Sequence, residues 1–224
     1  MITINEKVIS THPGASLGAL VVTNIKGPAD EAAWAEAAGH TTRQLSDRYG
    51  HLSRAEIKKT APAEAYVAYY KRFSQSYHLL GQLDSVLSGK KNLTSAPSLP
   101  AAMFMAEMES LLLTAGHDLN SLDGPLEMVV TGSGEEYVGL SGRDNKTVAD
   151  DLGLRDSRGL ISTILKGPDQ HSRLTAETDR ALFIIYGPPG VATAALDRHL
   201  DRLAQYVRLT AGQATVELRE ILTS

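Results

Sequence analysis

The chain has no cysteine. That one absence removes disulfides, thiolate zinc sites, iron–sulfur clusters and a cysteine nucleophile together. It also has no excess of positive charge: 22 Lys and Arg against 26 Asp and Glu leave a formal net charge of −4 over 224 residues. Such a balance argues against charge-driven, non-specific capture of nucleic acid, although a basic patch on one face is averaged out of it. No stretch approaches the roughly 20 apolar residues of a membrane helix. The opening MITINEKVISTHPG lacks the basic-then-apolar order of a signal peptide. The expectation is therefore a cytoplasmic protein without membrane attachment. No internal repeat or low-complexity block is visible. What is there, 42% hydrophobic and 21% charged residues, describes a globular chain large enough for one large or two small domains.

Periodicity supplies the elements. Residues 1–5 and the β-branched run 19–25 (ALVVTNI) read as strands, and Gly27-Pro28 turns the chain. Asp30 then N-caps a helix through EAAWAEAA, with Trp34 as its largest apolar anchor. This strand–turn–helix step lacks the lysine and the spacing of a phosphate loop. The polar segment 46–59 covers a helix end and a short second helix. Pro62 suits a first helical turn before Ala63 to Phe73, where Tyr66, Tyr70 and Phe73 form a core stripe. Tyr69, Lys71 and Arg72 make a basic, aromatic flank beside that stripe, a mild nucleic-acid signal. A third amphipathic helix, through Leu79, Leu83 and Leu87, stops at Gly89. The Ser/Pro-rich stretch 93–100 is the expected subdomain seam.

Residues 100–115 read as a long apolar helix that breaks at Gly116, and its Met103, Met105 and Met108 fill a core. Beyond residue 126 the texture changes to strands: LEMVV, EYVGL, GLISTIL and RALFIIY. An amphipathic helix over 194–209 and a closing strand over 215–222 complete the chain. Helices dominate the first half and strands the second, which is α+β.

Two polar clusters are candidates for chemistry. His117 and Asp118 follow Gly116 at what reads as a helix C-terminus, where a dipole-favoured imidazole and a turn-forming carboxylate are an ordinary stop signal. The alternative is a polar pair at a pocket mouth. The loop GPDQHSR gathers Asp169, Gln170, His171 and Arg173 in one connection, a set able to hydrogen-bond ribose, phosphate or carboxylate. Glu107 and Glu109, two apart on a helix, point to different faces and argue against a paired-carboxylate site. No HExxH or His-x-His spacing supports a metal, and no G-x-S-x-G elbow supports a serine hydrolase. Neither a metal nor a cofactor is expected.

The segment from Tyr69 to Gly190 resembles the B3/B4-type module of the phenylalanyl-tRNA synthetase beta subunit in a free-standing form. The match runs in order through Tyr69 to Phe73, SVLSGKKN, AGHDLNSLDG and HSRLTAETDRALFIIYGPPG. Gly116, Asp118, Leu119 and Asn120 stand at the family's Gly/Asp-Leu-Asp-type segment. Thr178 and Ala181 to Ile185 stand at its threonine-then-apolar strand. The resemblance implies a three-layer β/β/α domain over 1–224 with an N-terminal helical extension. It implies a trans-acting hydrolase of mischarged aminoacyl-tRNA, or a non-enzymatic binder of an amino-acid-like small molecule, with no aminoacylation activity. tRNA or aminoacyl-tRNA is the implied partner. The family's tyrosine-reading glutamate falls at Ile184 or Tyr186, and its Asn and His fall near Phe104 and Ala115. The expected substrate lining is His117, Asp118, Asp169, Gln170, His171, Arg173, Thr178 and Tyr186, with the two polar corners closing on one pocket. A third reading is an interaction module with no pocket, its interior filled.

Overall fold

The computed structural model describes residues 2–93 and 96–224. Asn5 separates strand β1 (Ile2–Ile4) from helix α1 (Glu6–Thr11), its side chain accepting the Lys7 N–H at 2.9 Å. Strand β2 (Ser16–Thr23) is buried at every position but its last, as an apolar run covered on both faces should be. Asp30 accepts the Ala33 N–H at 2.9 Å and starts α2 (Glu31–Tyr49). A Ser53–Glu56 capping box starts the single-turn α3 (Arg54–Ile57). Then come α4 (Ala63–Arg72), α5 (Leu79–Leu87) and α6 (Leu99–Ser110), the last capped by Ser98.

The remainder is mostly strand: β3 (Thr114–Asp118), β4 (Leu126–Val130), β5 (Glu136–Val138), β6 (Asp144–Lys146), β7 (Leu152–Asp156), β8 (Gly159–Thr163), β9 (Gly167–Pro168) and β10 (Ala181–Gly187). Helix α7 (Thr193–Thr210) and strand β11 (Thr215–Thr223) follow.

The architecture is α+β in three layers. One sheet has the order β1-β4-β7-β8-β9, the other β11-β2-β10-β3, and β5 with β6 forms a separate hairpin. Only the β1–β4 pairing is parallel. Alternation along β10 distributes its side chains between the layers. Ile185 lies with Gly18 against Leu196 and Leu200 of α7, whereas the Tyr186 hydroxyl meets Ser162 Oγ of β8 at 2.7 Å. The four-stranded sheet is thus the middle layer. Helices α2, α6 and α7 cover its outer face, with Trp34 edge-on to Tyr206 at 6.3 Å. The hairpin closes the far face of the five-stranded sheet, where Tyr137 joins Val129 and Leu160.

Helix α4 ties the layers together. Tyr66 donates to the Tyr186 carbonyl in the middle layer, Tyr70 to the Ile164 carbonyl at 2.9 Å, and Tyr69 to Asp151 Oδ1 at 2.7 Å. Tyr69 is therefore a core residue and not part of an exposed basic flank. The expected N-terminal helical extension is also corrected, because β1 and β2 are built into the two sheets and α2 into the helical layer. The helix expected to run to residue 115 stops at Ser110, where Leu111 adopts φ 55°. Residues 111–113 are buried whether helical or not, so their apolarity carries no information about period. The seam expected over 93–100 includes residues 94 and 95, which lie outside the described residues. No helix among the described residues is long and apolar enough to cross a membrane.

Candidate functional site

The two polar corners meet. His117 and Asp118 belong to the edge strand β3, not to a helix end, and β3 runs beside the 169–173 loop. The Asp118 N–H donates to the Ser172 carbonyl at 2.7 Å, and His117 Nδ1 lies 2.6 Å from Ser172 Oγ. Ser172 Oγ in turn donates to Asp169 Oδ1, which also accepts the Ser172 N–H at 3.2 Å. Since the serine proton goes to the carboxylate, His117 Nδ1 carries the proton it donates to Ser172. Asp118 Oδ2 accepts from Thr178 Oγ1 at 3.0 Å, and Arg173 Nη1 donates to the Gln170 carbonyl at 3.0 Å.

This tie is packed, not open. His117 and Ser172 have no solvent exposure, and burial drives the imidazole pKa down to about 4. Gly116 is a point of close approach: a Cβ there would sit 2.7 Å from both Leu174 Cδ1 and Met103 Sδ. His117 Nε2 is buried without a hydrogen-bond partner among the described residues. The order His–Ser–Asp also puts the serine between the other two groups, which is not the arrangement of a nucleophile activated by a histidine base. His171 with Asp169 borders a separate shallow cleft of about 250 Å3 beside Tyr137 and Arg158.

Tyr186 lies elsewhere, in a cavity of about 220 Å3 between the two sheets. Its walls come from α6 through Glu107, from β3 through Thr114 and Ala115, and from the β8–β9 turn through Thr163 and residues 164–168. Of the eight residues expected to line a site, Tyr186 alone is in this wall. Glu107 is its distinctive group. It sits on a largely apolar helix, and burial raises its carboxyl to about 8, only partly offset by the Thr114 N–H donating to Oε1 at 2.8 Å and by the charge of Lys91. Glu109, two residues on, faces the other way. Burial pushes it up, but hydrogen bonds from Arg202 and Tyr206 outweigh this and hold it below the usual range.

His199 forms a partition behind Thr114. Ser110 Oγ donates to the Ala106 carbonyl, so it accepts from His199 Nδ1 at 2.7 Å. His199 Nε2 then accepts from Thr114 Oγ1 at 2.8 Å. The Thr114 oxygen consequently offers the cavity only lone pairs. Burial keeps this imidazole neutral, with a pKa of about 4.

Sequence reasoning set Glu107 aside because it lacked a paired carboxylate. The signal that marks it is its spacing: it lies four residues from both Met103 and Leu111, on a stripe that is otherwise apolar. Among the described residues no group of three or more His, Asp or Glu side chains could hold a metal ion.

No family model and no curated protein matches the chain. Among solved structures, an N-terminal fragment of the phenylalanyl-tRNA synthetase beta subunit from Pyrococcus horikoshii is similar at a TM-score of 0.47 and 9% identity. The alignment covers 99% of this chain and 50% of that fragment, so this chain spans half the length of the protein it matches. The likeness is a distant one of structure.

Proposed function

We propose that the interlayer cavity binds the aminoacyl group of an aminoacyl-tRNA and hydrolyses its ester, with Glu107 as counterion of the α-ammonium group. One observation supports this reading above others: Glu107 is a half-buried carboxyl that lines the cavity and, among the described residues, is hydrogen-bonded once, by Thr114 N. A carboxyl raised to about 8 by lost hydration gains from any cation that replaces the water. The Thr114 lone pairs beside it suit the same ammonium group. A volume of about 220 Å3 falls below the roughly 300–1,000 Å3 of drug-sized sites and suits one amino acid. Ala115 and Tyr186, two positions where the resemblance places the family's polar readers, are both in the wall.

An aminoacyl ester is already activated, so holding its carbonyl within reach of water is most of the task. Water adds to the carbonyl carbon, the ester C–O bond breaks, and the departing ribose oxygen takes up the proton. Lys166, in the lining, is a cation available to the developing oxyanion. Lys91, stacked on Phe104 at 3.6 Å and felt by Glu107, gives the approach a positive charge suited to an RNA end.

The test is release of amino acid from a panel of mischarged tRNAs by the wild-type protein and by Glu107→Gln. Loss of one charge-assisted contact predicts a drop of about ten- to a hundredfold. If wild-type protein releases nothing from any member of the panel, the hydrolase reading fails. A second reading, binding of a free amino acid without chemistry, is favoured by the engagement of the threonines: Thr114 is bonded to His199, and Thr163 to the Lys166 N–H. Thermal stabilisation by an amino acid without any deacylation would select it.

A further inference from the structure

On the other side of His199 lies a second, larger and open cavity of about 490 Å3, bordered by α2, α6 and the start of α7. Its lining contains three guanidinium groups, Arg48, Arg198 and Arg202, but a single carboxylate, Glu109. Glu109 is fully engaged: Arg202 Nε and Nη2 donate to it at 2.8 and 2.7 Å, and Tyr206 and Thr41 donate at 2.6 and 3.0 Å. That leaves two positive charges without a counterion. Among the described residues Arg48 reaches no carboxylate, only the Glu109 carbonyl at 3.4 Å and the face of the Tyr49 ring at 4.9 Å, and Arg198 has no hydrogen-bond or ion-pair partner. His40 and Gln44 add further polar groups to the rim. Helix α7 begins at the same place, next to Gly190 and Ala192, with no side chain capping its first N–H groups. Pro62, Ala106 and Ala195 supply an apolar part of the wall.

We propose that this cavity binds a phosphorylated small molecule, its phosphate or diphosphate held by Arg48 and Arg198 and its organic body against the Pro62–Ala106–Ala195 wall. Two uncompensated guanidiniums match a dianion better than a single carboxylate, and arginine forks pair with phosphate oxygens in two-point fashion. The volume is of small-molecule size, too large for a bare anion. The site is independent of Glu107, which lies beyond the His199 partition.

Calorimetric titration with pyrophosphate tests it on three proteins: wild type, the double variant Arg48→Met/Arg198→Met, and Glu107→Gln. Saturable one-to-one binding to wild type is expected, with at least a tenfold loss in the double variant and no change in Glu107→Gln. Both arginines are exposed, so the double variant keeps its fold. No binding to wild type, equal binding to the double variant, or tighter binding of citrate than of pyrophosphate would each overturn the assignment. A loss in Glu107→Gln would overturn its independence from the interlayer cavity.

Discussion

Replacing Glu107 by Gln is expected to stabilise the protein in alkaline solution and to leave it nearly unchanged in acid. The sign follows from proton linkage. In the unfolded chain the carboxyl ionises at its ordinary value near 4.5, whereas in the fold burial holds the proton up to about 8. Between those limits the folded state carries one proton more than the unfolded state, so stability is fully present below pH 4.5 and is lost as pH rises to 8. At about 1.4 kcal/mol per pH unit, the whole interval amounts to about 5 kcal/mol. Glu107 is partly exposed, so solvent screening reduces the expected loss to about 2–4 kcal/mol. Gln keeps an acceptor for the Thr114 N–H and removes only the charge. Urea unfolding of both proteins at pH 5 and pH 8.5 isolates this group, because every other titration cancels in the double difference. Parallel pH dependences in the two proteins would refute the account of Glu107.

Ligand binding gives a second readout. An ammonium ligand that binds the carboxylate must displace its proton, so apparent affinity should rise about tenfold per pH unit from pH 6 to 8 and then level off. Titrations in buffers of different ionisation heat should show about one proton released. On the acid side, His117 is neutral in the fold down to about pH 4, so the stability it contributes is present above pH 6.5 and lost as pH falls below it. His117→Gln should flatten that limb by up to about 1.4 kcal/mol per pH unit in denaturant titrations, while His199, His12 and His78, whose pKa values burial also lowers, keep the remaining slope. Ser172→Ala leaves the buried His117 and Asp169 without their shared partner, and should cost about 1–3 kcal/mol by chemical denaturation. Gly116→Ala presses a methyl group onto Met103 and Leu174, and a thermal melt should register a loss of about 1–3 kcal/mol.

Local signals were legible where the chain carried them. Asp30 starts α2, the amphipathic stripe over 194–209 is α7, Gly89 follows α5 with φ 70°, and the run ALFIIY is the buried strand β10. What failed was the helix-to-strand transition after α6. Residues 111–113 are buried in either conformation, and Gly116, read as a helix stop, serves close packing within a strand. Strand β7 carries no strand signal in the sequence because LGLRD mixes a glycine and two charges that only the sheet explains. The candidate site was legible in part. The meeting of β3 with the 169–173 loop was anticipated, but not that it would be solid. Tyr186, expected beside His117 and the 169–173 loop, lines a different cavity, and Glu107 has no paired carboxylate but borders that cavity alone. Tertiary enclosure sets both outcomes, and no local pattern encodes it.

The order of strands in the middle layer bears on how the chain is made. Val22 of β2 pairs with Ala181 on one side and Val216 on the other, partners translated 159 and 194 residues later. At roughly 5–20 residues per second, a ribosome leaves the apolar stretch Leu17 to Val22 waiting roughly ten to thirty seconds for its first neighbour. Helix α7, which packs on β2, is also made after β10, so that face stays uncovered in the interval. Nascent-chain stalling between residues 110 and 180 should accordingly expose a sticky intermediate that binds chaperones, and release should follow once β10 emerges.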